Sequence, residues 1–166
     1  KAKKKDEKSH ITDLMRLPRL RRALLGGAMV FAASDLLNFY MPIYGHSIGL
    51  SASVIGTVLA IFALATFIVR TVLPAWARRT GEANILVYGI YTAALAFVMF
   101  PFFSNPWLLA GAAFVLGLGV GSGQPMSMSL IYALAPAGRA SEAAGLRVMV
   151  NNIAHMAIPP FFGSVA

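Results

Sequence analysis

Cysteine is absent from the 166 residues, which excludes disulfides and thiolate metal sites. Charge is scarce: 12% of residues are charged, against roughly 25% in ordinary soluble domains. Acids are scarcer still, six against fourteen Lys and Arg, and only Asp35 falls inside a long apolar run. A soluble domain of this size needs a charged surface, yet these charges are bunched into a few short stretches. Metal-ligand clusters, nucleophile elbows and acid pairs are missing too, with Glu82 and Glu142 standing in connectors. The reading is therefore non-enzymatic, with no metal and no cofactor implied. Nor do the apolar segments show the ten-residue alternation of transmembrane β-strands. Lys1 stands first and no apolar signal region with a cleavage site follows it, so the chain is expected to begin inside something longer or to have been processed.

What is present is hydrophobic length: 58% of the chain is hydrophobic, in runs of about the twenty residues a helix needs to cross a hydrocarbon core. Five runs are expected to span, at about 23–44, 52–73, 85–103, 107–134 and 146–166, making an all-α, polytopic transmembrane helix bundle behind a basic arm at 1–22. Within the arm, the first ten residues read as disordered and 11–20 as a short surface helix broken near Pro18. The second run is expected to stop at Pro74, with Arg78, Arg79 and Gly81 in its exit loop. Ser104-Asn105-Pro106 is a strong turn signal after the third. Pro136, Gly138, Arg139 and Glu142 mark the loop before the fifth.

Cations decide the orientation. Alternating the spans puts the arm, the Arg78/Arg79 loop and the Arg139 loop on one side, with Arg70 and Arg147 at adjoining helix ends. All fourteen Lys and Arg then share that side, and the opposite side has none. Basic residues are retained in the cytoplasm during insertion, so that side is expected to be cytoplasmic. A net charge of +8 would suggest nucleic acid in a soluble protein, but such binding leaves the spans unexplained. Membrane lipids are the expected partner of the arm, at about 1 kcal/mol per cation near anionic headgroups.

Several stretches resemble the major facilitator superfamily of secondary transporters, specifically helices seven to eleven of its second half. Leu17-Pro18-Arg19-Leu20-Arg21-Arg22 looks like the basic central loop entering the seventh helix, and Gly49-Leu50-Ser51 with Ile55-Gly56 like the entry to the eighth. The glycine-rich stretch Gly117–Pro125 resembles the tenth. Pro136, Arg139, Ala144-Gly145-Leu146, Pro159-Pro160 and Gly163 resemble the following loop and the eleventh helix. In the family's short loop motif, Arg79 and Gly81 match. Pro74 replaces the first glycine, Arg78 stands at the acid's position, and Glu82 and Ala83 replace the closing basic residues, which bears on any charge lock that needs the acid. The resemblance implies a partial half-domain with five spans, whose missing N-terminal half is a partner, and a central cavity between the halves open alternately to each side.

Asp35 is the most informative residue. It stands about twelve residues into the first span, where a carboxylate costs roughly 2.5–3.5 kcal/mol on insertion scales. Burial favours the protonated form, which suits uptake and release of a proton. Ser34 and Asn38 extend a polar stripe beside it; the alternative is a structural acid bonded to a neighbouring helix. On the fifth span Arg147, Asn151, His155 and Pro159 recur every four residues, with Asn152 beside them. His155 suits proton exchange with a carboxylate, and Pro159 frees the His155 carbonyl, permitting a kink. Asn151, Asn152 and His155 also suit helix–helix bonding.

Gly117, Gly119, Gly121 and Gly123 form two overlapping small-xxx-small pairs that permit close helix approach. They lack the spacing of a nucleotide fingerprint. Gln124 is a further candidate for substrate contact. Arg70 is expected in the last turn of the second span, snorkelling to the interface, and with Arg79 and Gly81 is a candidate for a cytoplasmic gate. Tyr40, Tyr44 and Trp107 read as interfacial belt residues.

The expected function is proton-coupled secondary transport of a small solute, preferentially efflux of an amphipathic compound, in the bacterial inner membrane. Proton-driven uptake of a sugar or organic acid is the alternative within transport; a carboxylate substrate would want a cation at midplane depth, where the runs place none. A non-transporting sensor or assembly module is the alternative outside it.

Overall fold

Only a helix or a closed barrel satisfies all its own backbone groups in hydrocarbon, and the apolar runs become helices. The structure is a computed structural model describing residues 11–163. The first ten residues of the arm, with their expected disorder and headgroup contacts, lie outside the described residues, as do 164–166. The described elements are α1 (Ile11–Arg16), α2 (Pro18–Ser47), α3 (Ala52–Thr80), α4 (Glu82–Met99), a 3-10 turn (Phe100–Phe102), α5 (Pro106–Leu134) and α6 (Ala140–Gly163). No strand occurs among the described residues.

Local chemistry sets several boundaries. Ser51 caps α3 by accepting from the Val54 N–H. Asn105 caps α5 by accepting from the Trp107 N–H at 2.9 Å, with Pro106 at the first helical position, where a missing N–H costs nothing. Pro18 likewise starts α2, so the break from α1 falls where the sequence puts it. α1 is not simply a surface helix, however. Leu14 is fully buried, in one cluster with Leu20, Leu24, Ile131, Ala143 and Leu146, so α1 pins the start of α2 to the end of α5 and the start of α6.

Pro74 does not end the second span. α3 runs through it to Thr80, and the turn is made by Gly81 alone, at φ 83°. A proline inside a long membrane helix is tolerated where neighbouring helices support the freed backbone. Positive φ is the conformation that favours glycine, so Gly81 is required by the turn. Glu82, expected in a loop, instead opens α4 and accepts a hydrogen bond from Ser129 Oγ on α5.

Four helices among the described residues are long and apolar enough to cross a membrane: α2, α3, α4 with its 3-10 turn, and α5. α6 has the length, 24 residues, but Glu142, Arg147, Asn151, Asn152 and His155 keep it below that apolarity. Such a helix needs protein or a water-filled cavity along its polar face.

α5 is the hub, packing on α2, α3, α4 and α6, and its glycines explain why. A Cβ at Gly117 would stand 2.5 Å from the Phe62 carbonyl oxygen, and one at Gly121 2.8 Å from Thr66 Cα, both on α3. A Cβ at Gly119 would stand 2.8 Å from the Gly89 oxygen on α4, and one at Gly123 2.8 Å from Val30 on α2. The two small-residue pairs therefore serve different neighbours: 117/121 seats α3, and 119/123 seats α4 and α2. Thr66 Oγ1 donates to the Gly117 carbonyl across the first seam at 3.2 Å.

The bundle gathers the arginine-bearing helix ends at one end, where Glu82 meets Ser129 and Leu14 meets Ile131. At the opposite end the Tyr44 hydroxyl donates to the Phe103 carbonyl at 3.2 Å, with Tyr40 stacked on Tyr44. Tyr44 thus ties α2 to the segment before α5, whereas Trp107 is exposed in the manner of a belt residue.

Candidate functional site

Asp35 and His155, 120 residues apart in sequence, meet where α2 and α6 pack. His155 Nδ1 lies 2.6 Å from Asp35 Oδ2. The Asp35 side chain is 22% exposed and that of His155 65% exposed, so the acid is held in the seam while the imidazole opens outward. The Phe31 ring, one turn before Asp35, sets its edge against the imidazole at 6.5 Å. Both residues stand near mid-helix. At 1.5 Å per residue, Asp35 lies about 4 Å and His155 about 5 Å past their helix midpoints, away from the arginine-bearing end.

The rest of the Asp35 stripe is arranged differently. Asn38 is exposed and its amide donates to the Ser34 carbonyl at 2.8 Å, within α2. It makes no hydrogen bond to Asp35. Pro42, inside α2, removes the N–H that would bond the Asn38 carbonyl. Pro74 does the same for the Arg70 carbonyl in α3, and Pro125 for Gly121 in α5. Each proline leaves a backbone acceptor within the middle part of a helix. The kink expected at Pro159 falls on a side chain outside those described.

A second tier of polar contacts lies toward the arginine-bearing end. Because α3 continues to Thr80, Arg70 is ten residues from its end and only about 6 Å from the helix midpoint, not in the last turn. Its Nη2 donates to Gln124 Oε1 on α5 at 3.4 Å. Arg147 Nη2, from α6, donates to the Gln124 backbone carbonyl at 3.4 Å. Gln124 is thus approached by two guanidinium groups, one from α3 and one from α6. Neither is paired with a carboxylate among the described residues; Asp35 is held by His155 and Glu82 by Ser129.

Asn151 stands one helical turn from each of Arg147 and His155, linking the tiers along α6. It is 6% exposed. Its Oδ1, and the Nε of Arg147, are buried polar atoms without a partner in the structure. Two such orphans one turn apart are costly in a settled interior, where buried polar groups are bonded. The Arg147/Asn151/His155 periodicity is therefore real and faces the α2–α5 side, while Asn152 is exposed beside it.

The gate candidates separate. Arg70 lines an open cleft of 610 Å³ with Leu73, Pro74, Arg78, Glu82 and Met126. Arg79, nine residues on, falls on the other side of α3 and lines a different hollow with Trp76. Arg78, which the sequence reading left out, is the residue that joins Arg70. Its signal was available in the spacing: 70, 74 and 78 repeat every four residues. A third groove, between α2 and α4, is lined only by apolar side chains such as Val30, Ile90 and Phe97, and offers no polar group to orient a solute.

A bundle of long apolar helices, seamed by glycines and with Asp35 and His155 meeting near mid-helix, has the build of a polytopic membrane protein. The family model described as Major Facilitator Superfamily matches residues 1–159, and the chain belongs to that superfamily. An uncharacterized MFS-type transporter, YfkF, of Bacillus subtilis (strain 168) is 29% identical over 125 residues, which cover 71% of this chain and 32% of the relative. The chain therefore spans about a third of the length of that curated relative.

Proposed function

We propose that this chain forms part of a secondary transporter that moves a small amphipathic solute by alternating access, coupled to protons and directed outward. The observation that carries the reading is the Asp35–His155 contact at 2.6 Å, midway along two helices. A carboxyl and an imidazole at hydrogen-bond distance pass a proton directly, interconverting a neutral pair and a contact ion pair of the same net charge, and a solute or a helix movement that parts them changes which group holds it. The exposed face of His155 and the backbone carbonyls freed by Pro42 and Pro74 support a cavity wall on this side. In the working protein that wall meets a second six-helix half. The arginine-bearing end is assigned to the cytoplasm, with α6 as a fifth span, in the inner membrane of a bacterium.

The test uses the complete transporter reconstituted in vesicles with a trapped pH indicator. Three naphthalene probes of one shape are offered: the 2-sulfonate anion, the neutral 2-sulfonamide and a trimethylammonium cation. At least one probe is expected to move protons with it in a protein-dependent way, and a protonophore is expected to abolish its gradient-driven accumulation. If no probe moves protons and the protonophore changes nothing, proton coupling is wrong. A protein that moves none of the three in any condition would favour a non-transporting membrane module.

A further inference from the structure

The second polar tier reverses the reason for setting aside an anionic solute. The sequence puts Arg70 in the last turn of a helix ending at Pro74, whereas the structure sets both Arg70 and Arg147 nearer the middle of their helices. With α3 extending to Thr80, Arg70 stands about 6 Å from the helix midpoint. Arg147 stands about 7 Å from its own, on the same side, and both guanidinium groups converge on Gln124. We infer that Arg70, Arg147, Gln124 and Asn151 form a binding site for the acidic head of an amphipathic organic anion, a carboxylate or sulfonate. Its apolar body lies against Leu73, Pro125 and Met126 in the cleft beside α5.

Three physical facts favour an anion there. A guanidinium has five donors in a planar fork that matches carboxylate-like groups, and each arginine uses one of them on Gln124 at 3.4 Å, a long contact. Two like charges against one helix in a region of reduced dielectric repel, and only an opposite charge offsets this. The buried Arg147 Nε is unpartnered, so a donor already desolvated awaits an acceptor. Asn151, more than nine-tenths buried, can rotate its amide to present NH₂ where Oδ1 stands, giving a further donor to the same head group.

Glu82 lines the cleft too, bonded to Ser129, and Arg78 faces it across the mouth. The cleft's charged lining is thus two arginines and one acid already engaged, with Arg147 reaching the Gln124 carbonyl beside it. An approaching cation meets net repulsion, and an anion meets net attraction. The apolar wall supplies affinity for a hydrocarbon body, and the few polar groups fix its head, as in solute sites generally.

This site rests on the transport reading but is tested without flux. The complete transporter, purified in detergent, is melted with naphthalene-2-sulfonate or naphthalene-2-sulfonamide at increasing concentration. The sulfonate is expected to raise the melting temperature saturably, and the sulfonamide is not. Arg70→Gln, at an exposed side chain that the fold does not need, is expected to weaken the sulfonate at least tenfold, with Arg70→Lys partly restoring it. Arg147→Gln, where it folds, is expected to weaken the sulfonate as well. Equal stabilisation by both probes, none by the sulfonate, or unchanged sulfonate affinity in Arg70→Gln would overturn the site. Protons moving with the neutral or cationic probe alone would also overturn it, yet leave proton coupling intact.

Discussion

Replacing Asp35 by Asn in the complete transporter is expected to bring proton-driven solute movement down to the level of protein-free vesicles, with the protein still folded. The amide is nearly isosteric with the carboxyl and keeps a hydrogen bond to His155, so the α2–α6 contact persists. What it loses is the ability to hold and release a proton. Asparagine also removes an ionisable group whose burial at mid-helix costs roughly 2.5–3.5 kcal/mol on insertion scales, so the melting temperature should hold or rise. Asp35→Glu should recover part of the flux, because the titrating group returns on a longer arm. A purely structural acid predicts the reverse pattern: Asp35→Asn would melt lower and transport normally, and Asp35→Glu would be the more damaging change.

The second large effect concerns folding. Gly117→Ala is expected to lower the melting temperature markedly and Gly117→Leu to prevent folding, whereas Gly111→Ala on the same helix is expected to be neutral or stabilising. At Gly117 the new Cβ would meet the Phe62 carbonyl oxygen at 2.5 Å and Ala65 Cβ at 2.7 Å. A carbonyl oxygen is backbone and cannot rotate away, so the α3–α5 seam must open. Overpacking of this kind costs about 1–3 kcal/mol, and the Thr66–Gly117 hydrogen bond is lost with it. At Gly111 a Cβ meets nothing within 4 Å, and alanine is favoured over glycine in a helix interior by about 1 kcal/mol. Comparing the two by thermal unfolding in detergent separates seam packing from general intolerance of α5. Equal behaviour of Gly111→Ala and Gly117→Ala would remove the glycine seam as the basis of the bundle.

Much of this architecture was legible because hydrocarbon imposes simple demands. Apolar length located the helices, and the turn signal at Ser104-Asn105-Pro106 and the connector ending at Ser51 fall where α5 and α3 start, at residues that the structure shows to be caps. Asp35 stood out because an acid in an apolar run needs a reason, and the four-residue repeat on α6 pointed His155 to the right side. The periodicity could not supply the partner, since Asp35 and His155 are 120 residues apart and meet only through the direct packing of α2 on α6.

Two of the differences trace to a single boundary. Proline was read as a stop, which holds where water competes for the freed carbonyl; inside a bundle the helix simply continues past Pro74. That one boundary lies seven residues beyond Leu73, at Thr80, and leaves Arg70 well inside α3, where it reaches Gln124. Glu82 was taken for a loop residue for the same reason. Leu14 could not be found as a buried residue from its own stretch, because what covers it comes from α5 and α6. Arg70 and Arg79, both gate candidates, separate because the nine-residue offset carries Arg79 around α3.

The central claim is that Asp35 gains and loses a proton in contact with His155. Infrared difference spectra of the complete transporter, recorded between acidic and alkaline buffer, test it most directly. The account predicts a protonated-carboxyl band that appears on acidification, shifts in His155→Gln as its hydrogen-bond partner changes, and disappears in Asp35→Asn. A carboxyl spectrum identical in the parent and Asp35→Asn, at every pH at which the protein remains folded, would contradict it.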